Sequence, residues 1–263
     1  MKSTILLCLC ILHQFALAEG CASLILRGMT PEKSWKVYDK GPAYESPLVV
    51  RALRMSGQSL RALPLDIVKF ENLEYLDISN NEISLSASDI EVLSHFPKLE
   101  VIDVSKNAIT EIGVDIGKLG RLTNLTHLFL PYNKITQINS SFVEIRNLKC
   151  LVLSHNPIGT IPTFVGDLAQ LEVFEASDCG LHQWTRGRFK KLKHILLNNN
   201  NLSITSLEGF PDTLTEIFLA NNKIFKFSLK RCPNNLESIV LSGNNLTSLD
   251  DNKPDNVVVV LGQ

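Results

Sequence analysis

Aromatic residues make up only 7% of this 263-residue chain, and charge of neither sign dominates it. The 26 lysines and arginines are matched by 27 aspartates and glutamates, so there is no net basic charge to draw in nucleic acid. With 44% hydrophobic residues and a net charge near zero, the composition also excludes a disordered chain. Long apolar runs are missing beyond the amino terminus. Val257 to Leu261 is a run of five, where a membrane helix needs about 20. The catalytic signatures H-E-x-x-H, C-x-x-C, G-x-S-x-G and G-x-x-x-x-G-K are absent. Gly113, Gly117 and Gly120 are spaced wrongly for a dinucleotide loop. The expectation is therefore a protein without catalytic, cofactor-binding or metal-binding residues. What the chain holds in excess is leucine and asparagine, with 41 and 21 copies, well above average usage.

The first eighteen residues read as a secretory signal. Lys2 supplies a positive start, Ile5 to Leu12 an apolar core, and Ala16-Leu17-Ala18 the small-x-small pattern before cleavage. The core is too short to span a bilayer, so a secreted, extracellular chain with no membrane span is expected. Cleavage would leave Cys21, Cys150, Cys179 and Cys232. Four cysteines allow two disulfides in three pairings.

Self-similarity is the dominant signal. The template L-x-x-L-x-L-x-x-N-x-L matches at Leu73/Leu76/Ile78/Asn81/Ile83 and at Leu99/Ile102/Val104/Asn107/Ile109. It matches again from Leu125, Leu148, Leu171, Leu192, Leu214 and Leu236, and more loosely from Val50. Nine copies recur at about 23-residue spacing. These motifs resemble the leucine-rich repeat family over roughly residues 50–256. The resemblance implies an α/β solenoid, a right-handed superhelix with a concave parallel β-sheet. Its convex face would carry short helical, 3-10 and extended segments. The expected division is a signal peptide at 1–18, an amino-terminal cap at 19–49, about nine repeats at 50–256 and a half-repeat cap at 257–263.

Within each copy the fourth and sixth positions alternate with outward ones, the period of a short strand. The first, fourth, sixth and eleventh positions should fill an aliphatic core. The ninth sits where the chain leaves the strand, and an inward amide there can serve both donors and acceptors of the turns. That ladder reads Gln58, Asn81, Asn107, Asn133, Asn156, Cys179, Asn200, Asn222 and Asn244. Cys179 is expected to be a buried structural thiol. Leu63 to Phe70 and Ile161 to Leu168 read as short helical returns. Ser86 to His95 and Val114 to Leu119 allow a fuller turn, and the returns after Phe189 have room only for extended or 3-10 structure. At the ends, Ser23–Leu26 and Trp35–Tyr38 are expected to pair as a capping hairpin. Val257 and Val260 are expected in the first and fourth positions of a closing half-repeat. Neither end shows the cysteine-rich caps usual in secreted members of the family.

Partner binding is expected on the exposed strand positions of the concave face. The fifth-position column reads Arg54, Asp77, Asp103, Phe129, Val152, Glu175, Leu196, Phe218 and Val240, charged first and then mostly apolar. The third-position column contains Tyr75, His127 and Cys150. Tyr75 and His127 are candidate anchors. The expected contact set is thus Tyr75, Asp77, Asp103, His127, Phe129, Val152, Glu175, Leu196, Phe218 and Val240. His127 beside Cys150 is half of a thiol site, but no third group is evident. Four sequons mark Asn124, Asn139, Asn201 and Asn245 as glycosylation candidates.

The leading reading is a secreted protein that binds another protein on its concave face, in adhesion, extracellular recognition or innate immunity. The alternatives are a non-catalytic accessory or inhibitory subunit of an enzyme, and an intracellular adaptor. The expected partner is another protein, and a homo- or heterodimer is left open.

Overall fold

The computed structural model describes residues 37–39, 47–184, 187–250 and 254–262. The signal segment, Cys21 and most of the amino-terminal cap lie outside the described residues.

The described strands begin with β1 (Val37–Asp39), β2 (Ala52–Arg54), β3 (Tyr75–Asp77), β4 (Val101–Asp103) and β5 (Glu111–Ile112). Next come β6 (His127–Phe129), β7 (Gln137–Ile138), β8 (Cys150–Val152), β9 (Val173–Glu175) and β10 (His194–Leu196). The set ends with β11 (Glu216–Phe218), β12 (Lys226–Ser228), β13 (Ser238–Val240), β14 (Ser248–Asp250) and β15 (Val258–Val260). Eleven of these form one sheet in the order β1-β2-β3-β4-β6-β8-β9-β10-β11-β13-β15, each pair parallel. Two small parallel pairs, β5–β7 and β12–β14, lie on the returning segments.

Register follows the repeat. Leu76 is opposite Ile102, which is opposite Leu128, and the row continues through Leu151, Phe174, Ile195, Ile217 and Ile239. All of these are at most 1% exposed. A side chain so buried contributes about 1.5–3 kcal/mol. No repeat can bury its own apolar side alone, so each depends on its neighbours.

The returns differ along the chain. One of the two equally long returns, between β3 and β4, holds the helix α1 (Ala87–Leu93), started by a capping box in which Ser86 Oγ accepts from the Asp89 N–H and Asp89 accepts from the Ser86 N–H. Asp89 is 1% exposed, and its second oxygen accepts from the Leu63 N–H of the preceding repeat at 2.8 Å. The buried carboxylate therefore ties two repeats together. Elsewhere the returns are 3-10 turns at Leu65–Lys69, Val114–Arg121, Ser140–Glu144 and Thr163–Asp167. Beyond Phe189 they are extended, as β12 and β14 show.

One end departs from its expected cap. β1, which overlaps the Trp35–Tyr38 arm of the expected capping hairpin, adds to the sheet as a parallel strand, Val37 opposite Ala52. The open backbone groups of β2 accept a strand in the direction the array already runs. The other arm, Ser23–Leu26, lies outside the described residues. At the far end Val259, not Val260, pairs with the core residue Ile239. A shift of one residue turns every side chain to the opposite face, so Val258 and Val260 face the inner surface. Val257 remains buried, at 2% exposure.

The asparagine row joins the repeats. Asn107 Nδ2 donates to Ile78 O of the preceding repeat and to Val104 O of its own, at 2.9 and 3.1 Å, while its Oδ1 accepts from the Ile83 N–H at 2.9 Å. Asn81, Asn133, Asn156, Asn200, Asn222 and Asn244 repeat the pattern. Two positions deviate. Gln58 enters only through its backbone N–H, which donates to Asn81 Oδ1 at 2.9 Å. Its extra methylene sets the amide farther from the turn carbonyls. Cys179 is 1% exposed and its Sγ donates to Leu153 O and Ser177 O. Burial pushes this thiol up to about 12. It has no amide oxygen to offer, and the Ile158 N–H folds back onto Asn156 O at 2.8 Å.

Candidate interaction surface

The sheet presents the third and fifth positions of each repeat in columns fixed by register. His127 is opposite Cys150, and Phe129 is opposite Val152. At the amino-terminal end the columns are polar. Arg54 Nε donates to Asp77 Oδ2 at 3.0 Å, and the other Asp77 oxygen accepts from the N–H and hydroxyl of Ser79. Asp103 accepts in the same way from the N–H and hydroxyl of Ser105. Burial nevertheless raises the Asp103 carboxyl above its ordinary value, with Asp77 adding to the shift. Burial, then the carboxylates of Asp77 and Asp103, raise the Tyr75 hydroxyl.

The columns do not expose what their sequence promised. Phe129, Val152, Leu196, Phe218 and Val240 are 1, 2, 1, 5 and 4% exposed, and Tyr75, Asp77 and Glu175 are also buried. Strands in register lie about 4.8 Å apart, and a concave sheet crowds the side chains of its inner curve. Alternation along a strand therefore does not yield an open apolar patch here. Of the ten contact residues expected, Asp103 and His127 remain half-buried. His127 is lowered to about 4 by desolvation and by Lys149, so it is neutral at pH 7. Cys150, at 1% exposure, is closed off beside it. A buried thiol next to a neutral imidazole is not poised for nucleophilic attack.

More accessible polar groups flank these rows. His194 Nδ1 and Glu216 Oε2 are 2.8 Å apart, and Arg54 remains exposed. The second position, which the sequence reading passed over, is charged in seven of the nine repeats and forms an edge of charges broken by Thr126 and Thr215. Arg51 pairs with Glu74, and Lys193 with Glu172 at 2.7 Å. The Lys193 hydrogen bond lowers the Glu172 carboxyl. The signal was available as charges recurring one place after seven of the nine leading aliphatics.

The sequons lie off the sheet. Asn139, Asn124 and Asn245 are exposed and Asn201 is half-buried. Asn139 Oδ1 caps the 3-10 turn after it by accepting from the Ser141 N–H, whereas the Asn124 amide nitrogen donates to Pro97 O at 3.0 Å. Thr247 of the last sequon donates to Phe225 O. No helix among the described residues is long and apolar enough to cross a membrane.

Residues 97–158 match the family model described as leucine rich repeat, and residues 71–115 match the model for leucine rich repeats in two copies. A solved structure of the Leptospira interrogans LRR protein LIC12759 superposes with a TM-score of 0.75 at 28% identity, covering 87% of this chain. The chain is a leucine-rich repeat protein.

This leucine-rich repeat protein spans 58% of the Leptospira chain and about a third of two further structures. One is Toll from the Drosophila Toll–Spätzle complex, with TM-score 0.67, 19% identity and 81% of this chain covered. The other is the plant peptide hormone receptor RGFR1 in complex with RGF2, with TM-score 0.56, 24% identity and 82% covered. Both show the same fold. No curated protein matches the sequence. The fold is that of protein-interaction modules, and nothing in the comparisons points to enzymatic activity.

Proposed function

We propose that this leucine-rich repeat protein is a secreted, non-catalytic recognition protein that binds another protein along the inner face of its sheet. The observation that carries the reading is the in-register sheet itself. Eleven parallel strands hold the third- and fifth-position side chains in fixed columns, so a partner meets a preorganised surface and little ordering entropy opposes binding. Contact would fall on the groups that retain access, namely Arg54, Asp103, His127, His194 and Glu216, above a closed apolar floor. Toll with Spätzle and RGFR1 with RGF2 are proteins of this fold seen with protein or peptide ligands, which supports recognition as the role. Secretion rests on the pattern of residues 1–18, and Asn139 and Asn245 are the sequons best placed to carry glycans. An accessory subunit gripping an enzyme through Asp77 and Asp103 has less support, because Arg54 already neutralises Asp77.

The test is crosslinking and mass spectrometry of the protein from its native secretions, followed by binding of the recovered partner to Asp103→Lys and Glu216→Lys variants. Crosslinks along the inner face and weakened capture by both variants support the proposal. Full capture by both, or crosslinks confined to the convex side, overturn it.

A further inference from the structure

The eighth position of every repeat lies on the rim where the strands end, immediately before the ladder residue. In all nine copies it has a positive φ, between 53° and 69°: Gly57, Asn80, Lys106, Tyr132, His155, Asp178, Asn199, Asn221 and Gly243. The turn imposes this, since each of these N–H groups from Gly57 to Asn221 donates to a seventh-position carbonyl of the next repeat, as Tyr132 does to Ser154 O at 3.0 Å. Glycine, asparagine and aspartate tolerate the left-handed region, and histidine is enriched there. Lysine and tyrosine have no such excuse, yet adjacent repeats place Lys106 and Tyr132 in it.

Their side chains meet. Lys106 Nζ lies 5.6 Å from the centre of the Tyr132 ring, and that ring stacks on His155 at 4.0 Å with 12° between the planes. His155 Nε2 is 3.7 Å from Asp178 Oδ2, which accepts from Asn199 Nδ2 at 3.0 Å. Asn199 Oδ1 in turn accepts from Asn221 Nδ2 at 2.8 Å. A continuous strip thus crosses six repeats. Within it Tyr132 is 49% exposed, and both Lys106, which lies over its ring, and Lys134, two residues on, are exposed. Neither lysine forms an ion pair with a carboxylate among the described residues.

From this we infer a second binding strip at Lys106, Tyr132, Lys134 and His155, which takes an acidic, aromatic-containing segment of a protein partner. One cation lies over the ring and a second two residues along the chain, neither with a carboxylate partner among the described residues, so carboxylates find charge complementarity, and a partner's ring finds the exposed edge of Tyr132 for edge-to-face packing. The strip rests on the reading of this chain as a protein-binding module, and adds a place and a chemistry that the inner face does not supply.

The test is an NMR titration of the full chain with a capped pentapeptide of four glutamates around one phenylalanine, with a glutamine counterpart as control. Saturable shifts of the Tyr132 and His155 ring resonances are expected with the glutamate peptide only, weakening as salt is raised. Lys106→Asn and Tyr132→Asn should each weaken binding about fivefold or more while leaving the melting temperature unchanged or higher, because asparagine suits the left-handed turn. Absence of saturable shifts overturns the proposal, as does tighter binding of a heparin tetrasaccharide than of the peptide. Lowered melting temperatures in both variants with peptide binding unchanged also overturn it, since the strip would then be a structural strut. The titration needs no natural partner, so its failure is distinct from loss of capture on the inner face.

Discussion

Replacing Asn156 by alanine tests the joint between repeats most directly. Asn156 is 0% exposed and makes four hydrogen bonds. Its Nδ2 donates to Leu130 O, Leu153 O and Ser154 O at 3.0, 2.7 and 3.3 Å, and its Oδ1 accepts from the Ile135 N–H at 3.0 Å. The losses are unequal. Leu130 O keeps a bond from Asn133 Nδ2, Leu153 O keeps Cys179 Sγ, and Ser154 O keeps the Tyr132 N–H. Those three carbonyls each lose about half a kcal/mol, whereas the Ile135 N–H is left buried with nothing, at about 1–3 kcal/mol. The total is about 3 kcal/mol, or about 6–12 °C in melting temperature for a chain of this size. Cys179→Ala is the comparator, because no N–H depends on the sulfur as acceptor, and it should cost about 1 kcal/mol. Urea unfolding followed by far-UV circular dichroism measures both. Equal costs, or less than about 1 kcal/mol for Asn156→Ala, would refute the claim that the orphaned N–H dominates.

Other outcomes follow from particular residues. His127 is held neutral in the fold with a pKa of about 4 against 6.5 in the unfolded chain, so its contribution is complete above pH 6.5 and is lost as pH falls towards 4. Wild type should lose about 2–3 kcal/mol across that window, and His127→Gln should flatten the slope of urea midpoint against pH. Gly120→Ala should destabilise by about 2 kcal/mol, because a Cβ there would meet the backbone carbonyl of Glu144 on the next 3-10 turn; thermal melts will show it. Phe129→Asp buries a carboxylate at a site 1% exposed, so it should lower stability by about 4 kcal/mol or more instead of only removing a contact. A native circular dichroism spectrum and an unchanged melt for that variant would contradict the burial of the inner column.

The array was legible in the sequence because nine copies keep one spacing, and a period of two within each copy marks which residues point to the core. Leu76, Ile102 and Leu128 lie in one row for that reason alone. Accessibility was not legible. Phe129 and Phe218 occupy outward positions of the alternation, and their closure depends on curvature and neighbouring columns, which no single repeat encodes. The closing strand was misread by one place because Val257 to Val260 are chemically identical, so only the pairing with β13 distinguishes Val259 as the inward one. The strip on the rim was missed for another reason. Lys106, Tyr132 and His155 have nothing in common as residue types, and only their shared left-handed backbone makes them a set.

The sulfur at position 179 gives the stack a crease. On both sides of it, amide oxygens accept an N–H from the preceding storey; at Ile158 that handshake is missing, and the storeys there keep the Gly159 N–H to Cys179 O bond and apolar packing around Phe174, Trp184, Phe189 and Phe210. Opening under heat or tension should therefore propagate along one block and pause at this storey. Amide exchange would then show two zones of protection with their border at residues 158–181, the molecule yielding in halves where an unbroken row would yield as one.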